Sequence, residues 1–169
     1  MSKICIVAID VRSAYNIGSI IRTADGFGSD VVLCGISPYP NLKQDYRLPH
    51  VSKKAHQAIS KTALGAEESV DIKYFENFIE AFDMLKKAKY TLIAIEQDIS
   101  SSDLSDYVFN NNNKYALIVG SEVEGLPKKI LDLCDDICEI KMIGKKESFN
   151  VSIASGIALY QAYNKLVVK

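Results

Sequence analysis

The chain is poor in the residues that several kinds of chemistry require. Among 169 residues there are two histidines, His50 and His56. Both lie in one polar segment with no plausible nucleophile beside them, which excludes a Ser-His-Asp arrangement. The four cysteines, Cys5, Cys34, Cys134 and Cys138, form no Cys-x-x-Cys pair. A metal site built on Cys134 and Cys138 would need two further ligands that the neighbouring sequence does not offer, so buried free thiols and no metal are expected. No apolar run approaches the roughly 18 residues of a membrane span. Met1-Ser2-Lys3 leading into Ile4–Ile9 is too short for a signal peptide and lacks a cleavage site. A cytoplasmic protein without a membrane partner is expected. Charge of one sign is also missing: 20 Lys and Arg stand against 21 Asp and Glu, a net charge of −1. That excludes coating of nucleic acid by bulk charge, though not a local basic face. What is present is a globular balance, 48% apolar and 24% charged, which excludes global disorder and predicts one domain over residues 1–169.

Short apolar runs alternate with amphipathic stretches. Strands are predicted at Lys3–Ile9, Val31–Cys34, Tyr90–Ile95, Tyr115–Val119 and Ile137–Ile140. Helices are predicted at Asn16–Phe27, Phe75–Ala88, Pro127–Leu133 and Asn150–Val167, with polar loop at Ser100–Asn113. The strands are continuous apolar runs, the pattern of a strand covered on both faces. The expectation is therefore an α/β fold, a mostly parallel sheet with helices on both faces. Ligands of such sheets sit at the carboxyl ends of the strands.

Two glycine-bearing loops fail as nucleotide motifs. Gly120–Gly125 follows a strand, but Leu126-Pro127 stands where a phosphate-binding loop needs Lys and Ser or Thr. Gly26-Phe27-Gly28 closes a helix, and Val31 replaces the third glycine of a dinucleotide fingerprint.

Three strand-end segments remain, rich in small and polar residues. Asn16–Gly28 carries Arg22 within an apolar helical stretch, either paired at the surface with Asp25 or functional. Gly120–Gly125 is either an ordinary turn or a place where a ligand nears the backbone. Ile140–Ala154 contains Ser148 and Asn150 at the start of the last helix, either as caps or as site residues. From Lys43 to Lys61 lies a basic stretch, Lys43, Arg47, Lys53, Lys54 and Lys61, with one acid, Asp45. It is either a solvated loop or a phosphate-contact surface, to which Lys141, Lys145 and Lys146 could add.

In this order and at these distances the three segments resemble the motifs of the SpoU-type, TrmH-like RNA ribose methyltransferases of the SPOUT class. The first is matched by Asn16-Ile-Gly18-Ser-Ile-Ile-Arg22-Thr23-Ala24, the second by Ile118-Val-Gly120-Ser-Glu122-Val-Glu-Gly125-Leu126. The third is matched by Ile140-Lys-Met142-Ile-Gly144 with Ser148-Phe-Asn150-Val-Ser152-Ile-Ala154. The resemblance runs from Ile4 to Tyr163. Lys141 stands where the family has proline, Phe149 where it has leucine and Val123 where glycine is common.

The resemblance implies a deep trefoil knot in the C-terminal part of the fold, an exception to the rule against threaded chains. It implies S-adenosylmethionine as cofactor, held at Ile95, Gly120, Ile140, Met142 and Phe149. It further implies methyl transfer to a ribose 2′-hydroxyl of tRNA or rRNA, tRNA somewhat preferred, and a homodimer. Arg22 would stabilise the developing alkoxide or a neighbouring phosphate, with its role as base open. Asn16, Glu122, Ser148 and Asn150 would position Arg22 and the ribose. The bare catalytic core is expected, with no appended RNA-binding domain. The alternatives are a non-catalytic RNA-binding protein that kept the fold and an unrelated small-molecule-binding α/β domain.

Overall fold

The computed structural model describes residues 2–43 and 45–166. Its seven strands are β1 (Ile4–Ile9), β2 (Asp30–Cys34), β3 (Ile72–Phe75), β4 (Tyr90–Ile95), β5 (Ser102–Asp103), β6 (Lys114–Val119) and β7 (Asp136–Glu139). They form one sheet in the order β3-β2-β1-β6-β4-β7-β5, and every neighbouring pair is parallel. The chain moves outward from β1 to β3. It then crosses to the other side of β1, where β6 later fills the place between β1 and β4. Loops leaving the carboxyl ends of strands diverge at such a reversal and leave a crevice.

The helices are α1 (Ala14–Gly26), α2 (Pro49–Ala63), α3 (Phe78–Lys87), α4 (Lys128–Leu131) and α5 (Val151–Leu166). Residues of β1 alternate between two cores. Ile4, Ile6 and Ala8 join Ile17, Ile20 and Ile21 of α1, Ile59 of α2 and Leu159 of α5 on one face. Cys5, Val7 and Ile9 join Phe78 and Leu85 of α3 and Ile130 of α4 on the other. This double coverage is why β1 reads as an unbroken apolar run. Truncating a fully buried member such as Leu117 to alanine should cost about 2–5 kcal/mol. Burial pushes the Cys34 and Cys134 thiols up to about 12, which keeps them protonated and poor as ligands or nucleophiles.

Several sequence expectations need correction. The basic stretch is not loop throughout, because its second half lies in α2. That helix buries only Ser52, Ile59 and Ala63 on its inner side, too few large residues for a helical period to show. It instead packs closely on α1. A Cβ added to Gly18 would lie 2.1 Å from Thr62 Oγ1 and 2.3 Å from the Ile59 carbonyl oxygen. Strand β3 leaves no clear mark in the sequence because this edge strand is only half-buried and short. Phe75 closes it, and the following helix begins at Phe78, where Asn77 accepts the Glu80 N–H at 3.2 Å. Ser102–Asp103 inside the expected polar loop is a two-residue edge strand. Pro127 precedes the one-turn α4 rather than lying within it. The last helix begins at Val151, and Val167 lies outside the described residues.

Candidate active site

A cleft of about 530 Å³ opens over the carboxyl ends of β4, β6 and β7. Ile95, Gly120, Ile140 and Phe149 line it, as do Glu122, Ser148 and Asn150. All seven are expected from the sequence, and they come from three loops that neighbouring strands bring together. Met142 is half-buried and is not part of the lining.

The geometry centres on Glu122. Its Oε1 accepts the Asn16 side-chain amide at 2.8 Å and the Ser13 backbone N–H at 3.3 Å. Its Oε2 accepts the Arg12 backbone N–H at 3.1 Å. Asn150 Nδ2 in turn donates to Asn16 Oδ1 at 3.2 Å. One hydrogen-bonded chain, Glu122–Asn16–Asn150, thus joins the loop after β6, the first turn of α1 and the start of α5. Burial pushes the Glu122 carboxyl up, but the bonds from Asn16 and the two backbone N–H groups outweigh it and hold the group below its ordinary value. Asn150 also caps α5, because its Oδ1 accepts the Ser152 N–H at 2.9 Å. Capping and site membership coexist in this residue.

Arg22 stands apart. It is exposed, and among the described residues it makes no ion pair and no side-chain hydrogen bond. Asp25, the expected surface partner, instead accepts the Ser69 hydroxyl at 2.7 Å. Six residues beyond Asn16, Arg22 lies about 9 Å along the helix and is turned about 120° away. Its own chain's cleft does not include it.

The basic stretch divides. Lys43, Lys53, Lys54 and Lys61 are exposed. Lys54 and Lys61, seven residues apart, share one face of α2. Arg47 departs from the expected phosphate contact. Its guanidinium bonds Asp45 through Nε at 2.9 Å and Nη2 at 2.6 Å, and also donates to the carbonyls of Tyr39 and Pro40. It lies 3.4 Å above the Tyr39 ring, which stacks on Tyr74 at 4.0 Å. The bonds from Arg47 hold the Asp45 carboxyl far below the usual range. Arg47 therefore ties Asp45 to the Tyr39–Pro40 segment of the same loop. Composition alone could not separate it from the lysines. Lys141 is likewise occupied, 3.1 Å from Asp103.

Sequence reasoning missed four contributors. Arg12 and Ser13 act through their backbone, which no side-chain pattern signals. Glu96 and Gln97 line the cleft directly after β4. Glu96 Oε2 accepts the Leu126 N–H at 2.8 Å, and Gln97 Nε2 donates to the Glu147 carbonyl at 2.6 Å. The available signal was a carboxylate and an amide placed immediately after a mostly apolar strand.

Fold and site together define a parallel α/β domain with a ligand cleft over strand ends, walled by loops distant in sequence. The chain belongs to the SpoU rRNA methylase family, whose sequence model matches residues 3–160. A Staphylococcus haemolyticus protein assigned to the TrmH family of tRNA/rRNA methyltransferases is 29% identical over 161 residues, covering 95% of this chain and 58% of that protein. A Staphylococcus aureus protein with the same assignment is 28% identical over 156 residues, covering 92% and 56%. The chain thus spans little more than half the length of these relatives. The AdoMet-bound rRNA methyltransferase of Sinorhizobium meliloti superposes with a TM-score of 0.77 at 25% identity, covering 97% of this chain and 57% of that one. The A. aeolicus TrmH/SpoU tRNA-modifying enzyme shares the fold, with a TM-score of 0.72 at 22% identity over 98% of this chain and 76% of that one.

Proposed function

We propose that this chain transfers the methyl group of S-adenosylmethionine to a ribose 2′-hydroxyl of tRNA or rRNA. The observation that carries the reading is the Glu122–Asn16–Asn150 chain, which ties the three motifs together at the rim of one cleft. The cleft suits the cofactor. Its volume lies within the range of small-molecule sites. Ile95, Ile140 and Val151 offer apolar walls for a flat base, and Glu122 and Glu124 set negative charge in the cleft that a sulfonium would enter. When bound, S-adenosylmethionine supplies an electrophilic methyl group on a cationic sulfur.

The chain's residues supply the rest. The peptide groups at Ile95, Gly120 and Ile140, with Phe149, would hold the adenosine, whereas Met142, outside the lining, would not touch it directly. Glu122, fixed by three donors, keeps Asn16 oriented, and Asn16 keeps Asn150 oriented. Ser148 and Asn150 face the ribose. Such orientation of two reactants can be worth about 7–11 kcal/mol of the barrier. As the ribose oxygen takes the methyl group its hydroxyl proton would pass to solvent water, and Arg22 would stabilise the charge that develops there or on the adjacent phosphate. A guanidinium is effectively always protonated, so this electrostatic role suits it better than that of a base.

Because Arg22 is turned from its own cleft, the reading requires a homodimer in which Arg22 reaches the partner's site. Ile153 and Tyr160 of α5, 53% and 56% exposed, supply an apolar face for that contact. Lys43, Lys53, Lys54 and Lys61 contact RNA phosphates. The reading also carries the trefoil knot and a cytoplasmic site of action. Among the described residues no helix is long and apolar enough to cross a membrane.

The test combines calorimetry of S-adenosylmethionine with methyl transfer to bulk tRNA and rRNA, followed by mapping of the modified nucleotide. Methylation at a ribose 2′-oxygen supports the proposal. Cofactor binding without transfer would favour an RNA-binding protein, and methylation of a base would refute the ribose assignment.

A further inference from the structure

Two carboxylates outside the three motifs perform the same structural act. Asp10 directly follows β1, and Glu96 directly follows β4. Asp10 Oδ1 accepts the backbone N–H of Ile36 at 3.0 Å. Glu96 Oε2 accepts that of Leu126 at 2.8 Å. In each case the donor follows a glycine in the left-handed region, Gly35 at φ 66° and Gly125 at φ 64°. In each case a Cβ on that glycine would strike the carboxylate, at 2.0 Å from Asp10 Oδ1 and 2.3 Å from Glu96 Oε2. Glycine is thus required twice over at both places, by backbone conformation and by the approach of the acid. The latched loop follows the strand paired in parallel with the acid's own, β2 beside β1 and β6 beside β4. Asp10 itself sits at φ 55°, a conformation that aspartate tolerates better than most residues.

The two latches serve different loops. The Glu96 latch fixes the loop from Gly120 to Leu126, which carries Glu122 and walls the cleft. Gln97 adds a tether to Glu147 on the opposite wall. The Asp10 latch fixes the start of the loop from Gly35 to Leu48, which leads into the lysine-bearing α2.

We propose that Asp10 and Glu96 are positioning residues of one repeated device, with Glu96 setting cofactor affinity and Asp10 setting RNA affinity. The assignment of the two affinities rests on the proposed function, whereas the latches themselves do not. The test uses the full chain with Glu96→Ala, Glu96→Gln, Asp10→Gly and Asp10→Asn. Glycine at position 10 removes the acceptor while suiting the backbone. Calorimetry with S-adenosylmethionine, filter binding of bulk tRNA and amide hydrogen exchange are measured on each.

Glu96→Ala should weaken cofactor binding about tenfold and leave tRNA affinity within about twofold, and Asp10→Gly should do the reverse. Asp10→Asn keeps the one acceptor that is used and should restore wild-type behaviour. Glu96→Gln should be intermediate, because the second oxygen also accepts the Gln97 N–H at 2.9 Å. Equal loss of both affinities in both variants would reduce the acids to general scaffold and overturn the division of labour. So would an Asp10→Asn variant as damaged as Asp10→Gly. Exchange at Ile36 should quicken only in Asp10→Gly, and at Leu126 only in Glu96→Ala. If the wild-type chain binds neither ligand, the proposed function fails while this exchange pattern still decides the latches. Unchanged exchange at both amides would refute them.

Discussion

The cleft and the basic face are built on opposite plans. Around the cleft, residues more than a hundred positions apart are bonded to one another: Asn16 to Glu122, Asn16 to Asn150, Arg12 to Glu122. Along the loop from Gly35 to Leu48 and α2, the bonds span shorter distances in sequence: Asp10 holds Ile36 and Tyr15 holds Thr62, 26 and 47 positions apart, and those of Arg47 are local. Arg47 binds Asp45, Tyr39 and Pro40, while the lysines stand free of ion pairs among the described residues. Positioning a reacting atom tolerates little displacement and needs groups locked from several directions. Neutralising a phosphate needs charge within reach and little else. A cleft cross-linked between distant segments and a lysine face free of ion pairs match those two demands, as the proposed function needs.

Mutations that break each region differently should expose this contrast. The largest effect is expected for Arg22→Ala. Methyl transfer should fall below a tenth of the wild-type rate, while calorimetric affinity for S-adenosylmethionine stays within a few-fold. A variant that retained more than a tenth would have lost under about 1.4 kcal/mol of transition-state stabilisation, and Arg22 would not be central.

Next in size is Arg47→Ala. Asp45 would be left half-enclosed without its partner, and the Tyr39–Tyr74 stack would lose its cover. Denaturant unfolding should show a loss of about 2 kcal/mol, with cofactor affinity unchanged. Full stability in this variant, combined with weaker RNA binding, would return Arg47 to the phosphate-contacting set.

A smaller change is expected for the pair Lys53→Ala and Lys54→Ala. RNA affinity should fall nearly equally for all sequences. On single-stranded segments the slope of log affinity against log salt should flatten by roughly 0.7 for each phosphate no longer neutralised. Cofactor affinity and the nucleotide modified should not change. An unaltered slope would mark this face of α2 as solvated surface and turn attention to Lys145 and Lys146.

The smallest effect concerns pH. The folded Glu122 carboxyl is held below its ordinary 4.5, so its bonds to Asn16, Arg12 and Ser13 contribute fully above that value. Their contribution is lost as pH falls through the lower folded value. Cofactor affinity should therefore stay flat from neutrality down to about pH 5 and weaken only in stronger acid. Glu122→Gln should abolish that acid limb. An acid limb that survives the substitution would assign it to another group.

Much of this molecule is legible along the chain, for physical reasons that can be named. β1, β4 and β6 are apolar on both faces because helices cover both, and the run of Ile and Val records that directly. Asn16, Glu122 and Asn150 are legible through the order and spacing of three motifs that resemble those of a known family, since their neighbours alone leave a turn or a helix cap equally open. By contrast α2 hides, because its contact with α1 depends on small residues meeting at Gly18 instead of a stripe of large ones. Arg47 looks like the lysines near it until folding places Asp45 and the Tyr39 ring against its guanidinium.

The rest needed three dimensions. No local pattern states that β6 lies between β1 and β4, since parallel strands are joined by long crossovers and the order is settled by packing. Only that order brings Glu122 to Asn16 across 106 positions. Only it seats Asp10 over Gly35 and Glu96 over Gly125. A side chain's type is written locally, whereas the partner that completes it is chosen by which strand comes to lie beside its own.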